Sequence, residues 1–158
     1  MNNEDLLCDL LCPAPMPATD LDRFHAAQDA GQPPVLERAL AELRAGRKSS
    51  HWIWFVLPQL ASLGRSPLAR RYGIADLAEA RAYLADPLLR QRLEAVIAVI
   101  AAQLSQPGQS LEQLMGSGID ALKTVSSLTL FEAAGLESAA ALLDRIGRRC
   151  GPTLERLG

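Results

Sequence analysis

Histidine and cysteine are both scarce in this chain, with two histidines and three cysteines among 158 residues. Cys8 and Cys12 lie far from Cys150. An odd number with no tight pairing pattern argues against a disulfide framework, and a reducing compartment is then the default. A metal site built on Cys8 and Cys12 lacks further ligands, since only His25 and His51 could join it, so neither a metal nor a cofactor is expected. Positive charge is not in surplus either. The formal net charge is −2, whereas a nucleic-acid binder usually carries a basic excess to neutralise phosphates. Arg44, Arg47 and Lys48 make only a local patch, which a solvated helix end explains. No apolar run reaches the ~20 residues that cross a bilayer. The most apolar stretch, residues 93–104, contains Glu94 and reads as a buried helix. The early residues Glu4 and Asp5 are acidic, where a signal peptide wants positive charge. The expected setting is therefore the cytoplasm, with no membrane contact. GxSxG, HExxH, Walker and GxGxxG signatures are all missing.

What the chain does have is alanine and leucine, both good helix formers. Hydrophobic residues make up 49% of the sequence, enough to bury a core without a structural staple. Within residues 1–18, Pro13, Pro15 and Pro17 stand at every second position, which prevents helix there and favours extended chain. That segment reads as a flexible arm outside a helical domain at 19–158. Within the domain, Thr19 and Asp20 can cap a first helix bearing Leu21, Phe24 and Gln28. A second helix follows Pro33 and Pro34. Ser66 with Pro67, Asp76 with Glu79, Asp86 with Pro87, and Ser110 with Gln113 each mark a helix start. The stripe Leu89, Leu93, Val96, Ile97, Ile100, Ala101 and Leu104 keeps a period near 3.6. Asp120 is read as the cap of a helix ending before Gly135, and Ser138 as the start of the last long one. The fold class that results is all-α: a compact irregular array of about seven to nine helices in a single domain.

Two segments depart from this plain pattern. Three of the few aromatics, Trp52, Trp54 and Phe55, fall within four residues of one another. Residues 47–58 could form a strand on composition, but a lone strand has no partner, so a short helix capped by Ser49 or Ser50 is the reading. Trp52 and Trp54 then face roughly 200° apart. One belongs in the core and the other at a surface or pocket wall. His51 lies three residues before Trp54 and four before Phe55, beside aromatic rings. It can be a general base or a ligand donor, or simply a hydrogen-bonded structural histidine. The second segment is 120–131, where Thr124, Ser126, Ser127 and Thr129 crowd mid-helix positions that such hydroxyls disfavour. Asp120, Lys123 and Ser127 share nearly one face. They can fix a small anionic or hydroxylated ligand, or form an ordinary ion pair beside back-bonded hydroxyls.

At these segments the chain resembles the bacterial and fungal family catalogued as domain of unknown function 1810. The resemblance is carried by an ordered series of short motifs. These are Leu21, Asp22, Arg23 and Phe24 with Ala27, Gln28 and Asp29, then residues 41–48, residues 50–55 with Pro58, Gln59 and Leu60, then 71–74, 80–84 and 120–131. It extends over residues 20–150. It implies a compact multihelical fold and brings no established activity. Members tend to keep Lys48, Ser50, His51, Trp52, Trp54, Lys123, Ser126 and Thr129 in type. Many have Pro-Asp-Asp where this chain has Gly118, Ile119 and Asp120, and many carry a basic residue in place of Val125.

Two functions are expected to compete. In the first, Lys48, Ser50, His51 and Trp54 meet Asp120, Lys123, Ser126 and Thr129 in one polar and aromatic cleft. That cleft would bind a small molecule such as a nucleotide or sugar phosphate and could support hydrolysis with Asp120 or His51 as base. In the second, Trp52 and Trp54 anchor a protein partner. The first requires that the two distant segments fold toward each other.

Overall fold

An eighteen-residue helix runs through the fold and carries its longest apolar stripe. In the computed structural model, which describes residues 20–158, this is α6 in a series of ten α-helices among the described residues. They are α1 (Asp22–Asp29), α2 (Val35–Arg44), α3 (Ile53–Val56), α4 (Pro67–Arg71), α5 (Leu77–Ala85), α6 (Pro87–Leu104), α7 (Leu111–Met115), α8 (Gly118–Ala133), α9 (Glu137–Ile146) and α10 (Gly151–Leu157), with a 3-10 turn at Ala61–Leu63. The proline-rich arm, with Cys8 and Cys12, lies outside the described residues.

The predicted stripe on α6 is the buried one: Leu89, Leu93, Val96, Ile97 and Ile100 all face inward. It packs against α2, α5, α7 and α9. The chain's other central element is α8, which packs against α3, α5, α7, α9 and α10. Every residue from Thr124 to Phe131 is buried, as befits a helix with neighbours on all sides. Phe131 meets Tyr83 of α5 with ring centroids 5.0 Å apart, and Tyr83 meets Phe24 of α1 at 5.2 Å. One hydrophobic cluster thus joins α1 to α9.

Most helix starts follow their sequence signals. Ser66 accepts from Ala69 N–H, Asp86 from the N–H groups of Leu88 and Leu89, and Ser110 with Gln113 forms a full capping box. Asp76 accepts from Glu79 N–H, but the Glu79 carboxylate turns to Ala75 N–H and to Arg23, so that box is half closed.

Several expectations are corrected. The first helix begins at Asp22 with no side-chain cap, because the cap position falls on Leu21, whose side chain carries no acceptor. Residues 48–52 are irregular and only the single turn of α3 is helical: Glu42 gathers the Ser49 and Ser50 N–H groups and the Ser50 hydroxyl, and the cap position falls on Trp52, which has no side-chain acceptor. Ser117, not Asp120, caps α8, and Asp120 sits in the first turn. The last long helix starts at Glu137 after Leu136, not at Ser138. A tenth helix, α10, follows it. Between Leu60 and Ile74 the backbone forms one isolated parallel bridge. No helix among the described residues is long and apolar enough to cross a membrane.

Truncating the shared aromatic core tests this architecture. Phe131, with 0% exposure, is expected to cost about 3–5 kcal/mol on Phe131→Ala by urea denaturation. Leu88→Ala, at an exposed site, should stay within about 0.5 kcal/mol of the parent.

Candidate functional site

The site is built outward from α2. Glu42 lies on its last two turns, near the carbonyl end where a carboxylate is disfavoured by the helix dipole. Four donors from the following loop overcome that. Glu42 Oε1 accepts from Ser49 N–H at 2.8 Å, Ser50 N–H at 2.9 Å and the Trp52 indole N–H at 2.9 Å, and Oε2 accepts from the Ser50 hydroxyl at 2.5 Å. Burial pushes this carboxyl up, but the Ser50 hydroxyl, Ser49 N–H, Trp52 indole and Ser50 N–H together pull it further down, to about 2 from an ordinary 4.5. The sequence reading did not pick out Glu42 as a site residue. A glutamate on a helix face gives no signal of its own, and its four partners come from a loop whose path is visible only in three dimensions.

That loop carries Lys48 inward, its side chain 4% exposed. A buried ammonium needs its hydrogen bonds and countercharge supplied. Lys48 Nζ donates to Ser50 O at 2.6 Å, pairs with Asp120 Oδ2 at 2.8 Å and stands 5.1 Å from the Trp52 ring centroid. Its backbone N–H donates to Leu114 O at 2.7 Å. Gly116 makes this approach possible. It has φ +84°, and a Cβ there would lie 2.8 Å from Lys48 O.

The two distant segments therefore do meet, through Lys48 and Asp120. The pair lies in a cleft of about 470 Å³ lined also by Arg47, Ser50, His51 and Ser117. His51 and Arg47 are exposed, and neither side chain makes a hydrogen bond or ion pair among the described residues.

The remaining candidates lie elsewhere. Trp52 is the tryptophan in the core, 1% exposed, with its indole N–H spent on Glu42. It cannot anchor a partner, and the interaction reading loses one of its two tryptophans. Trp54 is the wall tryptophan. It is half-buried, and Lys123 Nζ stands 5.4 Å from its ring centroid. The two share a cavity of about 10 Å³ with Gln59 and Tyr72, space for no more than about one water. Lys123 and Ser126 also line a groove that does not include His51, so His51 and Lys123 serve different openings. Ser126 and Thr129 are buried and dock α10: the Ser126 and Thr153 hydroxyls are 2.9 Å apart, and Thr129 accepts from Cys150 N–H at 3.0 Å. Thr124 and Thr129 donate back to the carbonyls of Asp120 and Val125 at 2.8 and 2.7 Å. That back-bonding and docking compensate three of the four hydroxyls; the Ser127 hydroxyl is buried with no partner among the described residues.

The architecture is that of an irregular multihelical protein in which a buried lysine, paired with Asp120, floors a polar cleft. The chain belongs to the family described as Protein of unknown function (DUF1810), whose profile matches residues 18–157. It is similar to the conserved hypothetical protein Rv1873 from Mycobacterium tuberculosis, known from a crystal structure at 1.38 Å, with a TM-score of 0.78 and 44% identity over 87% of this chain and 96% of that one. None of the curated proteins compared with the chain matches it.

Glu42 makes a pH signature. Its folded carboxyl titrates at about 2, below the ordinary 4.5, so its contribution to stability is complete above pH 4.5 and is lost as the pH falls toward 2. Glu42→Gln is expected to cost about 1–3 kcal/mol at pH 7. The gap to wild type, followed by urea titration at successive pH values, should shrink through that acid window.

Proposed function

We propose that the cleft between residues 47–51 and the start of α8 binds a small hydroxylated, phosphorylated molecule of the sugar-phosphate kind. The observation that carries this is the arrangement of its polar groups. Arg47 and His51 stand unpaired at the opening, above a Lys48–Asp120 floor locked in place by Glu42. Fixed polar groups converging on a concavity are what small-molecule recognition needs.

The roles follow from the chemistry. The Arg47 guanidinium presents forked donors that match a phosphate, and the first turn of α8 adds its partial positive charge nearby. Asp120 gives Oδ2 to Lys48. Its Oδ1 accepts no hydrogen bond among the described residues, which suits a sugar hydroxyl as donor. The His51 imidazole can accept a proton from a second hydroxyl or from an attacking water. A nucleotide base fits less well, because Trp52 lies beneath Lys48 and Trp54 belongs to another cavity. Both tryptophans are thus withdrawn from stacking here.

Thermal shift with sugar phosphates and nucleoside phosphates checks this reading. A fitting compound at about 10–100 times its Kd should raise Tm by about 3–8 °C. The shift should vanish in Arg47→Ala and Asp120→Asn and persist in Trp54→Phe. Equal responses in wild type and the cleft variants would sink the reading. Turnover of the same compound, if seen, should disappear in His51→Ala.

A further inference from the structure

The first turns of α8 carry two large apolar side chains that the fold leaves in solvent: Ile119 is 67% exposed and Leu122 62%. They line a groove of about 780 Å³ together with Leu63, Ala69, Cys150 and Pro152. Its rim is cationic. Arg65 and Lys123 line it, and neither makes an ion pair among the described residues. Arg148 and Arg149 line it too, but are paired with Glu112 and with Glu132 and Asp144. This groove shares no lining residue with the polar cleft.

An apolar trough lined by cations that have no carboxylate partner among the described residues fits a segment with leucines on one face and carboxylates on the other. This chain contains such a segment. Residues 4–11 read Glu-Asp-Leu-Leu-Cys-Asp-Leu-Leu, with no basic side chain. Leu6 with Leu10, and Leu7 with Leu11, are four apart and share a helical face. On such a helix Asp5 and Asp9 fall on the opposite side, while Glu4 lies beside Leu11 at the edge of the leucine face. We infer that residues 4–11 dock in this groove of the same molecule, leucines against Ile119 and Leu122 and carboxylates toward Arg65 and Lys123.

The connection is short enough. The described chain begins at Asp20, whose carbonyl accepts from the Arg23 guanidinium. That same guanidinium donates to Arg71 O at 3.0 Å and Gly73 O at 2.8 Å. Arg71 ends α4, which gives Ala69 to the groove. Gly73 lies against Ala61, which opens the 3-10 turn that gives Leu63. Asp20 is thus one short helix from the groove wall. Residues 12–19, with three prolines, span about 25 Å when extended at about 3.1 Å per residue. A tether of that length holds the segment at an effective concentration of order millimolar, so modest affinity is sufficient.

The chain supplies its own probes, since Cys8 and Cys12 flank or sit in the segment and Cys150 lines the groove. The full chain, treated briefly with a short bismaleimide, is expected to form an intramolecular link from Cys150 to Cys8 or Cys12, identified by peptide mass spectrometry of the monomer. The Leu6→Asp/Leu10→Asp variant keeps every cysteine and should slow linking at least about fivefold. Leu122→Asp, at an exposed site where folding is not at stake, should do the same from the groove side. Linking at the same rate in all three chains overturns the proposal, because chance collision of a tether then accounts for it. Links found only in covalent dimers overturn the intramolecular assignment.

Discussion

Lys48 brings a full positive charge to the edge of the core, and the path of the chain around it is set by what that charge requires. An ammonium removed from water must find an opposite charge and hydrogen-bond acceptors. Asp120, the Ser50 carbonyl and the Trp52 ring supply them. The pair ties the loop after α2 to the first turn of α8, which are far apart in sequence. Glu42 then holds the loop from the other side, drawing the N–H groups of Ser49 and Ser50 away from any helix or strand. With Trp52 pulled inward by its indole N–H, His51 next to it is left outward. The cleft is a consequence of these two carboxylates, one closing each side of residues 48–52.

The helix that receives Lys48 divides its surface. Asp120 faces the polar cleft, Ile119, Leu122 and Lys123 face the groove, and everything from Thr124 to Phe131 is enclosed. Small hydroxylated residues suit the enclosed part. The Thr124, Ser126 and Thr129 oxygens are satisfied by carbonyls one turn back or by α10, whereas the buried Ser127 hydroxyl has no partner among the described residues. Two openings along one helix are therefore chemically unlike, one polar and one largely apolar.

Much of the scaffold was legible beforehand because its signals are local. A 3.6-residue stripe needs only its own helix to be read, and α6 buried the side the stripe marks. Ser66, Asp86 and Ser110 capped their helices because a cap and the N–H it satisfies lie within three residues. The reading stopped where local signals compete. Asp120 and Ser117 can both cap α8, and the choice of Ser117 frees Asp120 for Lys48. The opposite placement of Trp52 and Trp54 followed from their spacing, although the segment around them proved irregular. Glu42 was missed because its partners are gathered by the fold. Ser126 and Thr129 looked like ligand groups because the helix they dock, α10, had not been foreseen.

The sequence by itself determined the helical class, the buried stripes and most helix starts, since periodicity and capping depend on neighbours a few residues away. Only the tertiary structure decided which polar side chains face water together. It joined Lys48 to Asp120, separated His51 from Lys123 and turned Trp52 inward. The physical reason is that desolvating a charge or an indole N–H is acceptable only beside a specific partner, and sequence distance places no limit on where that partner stands.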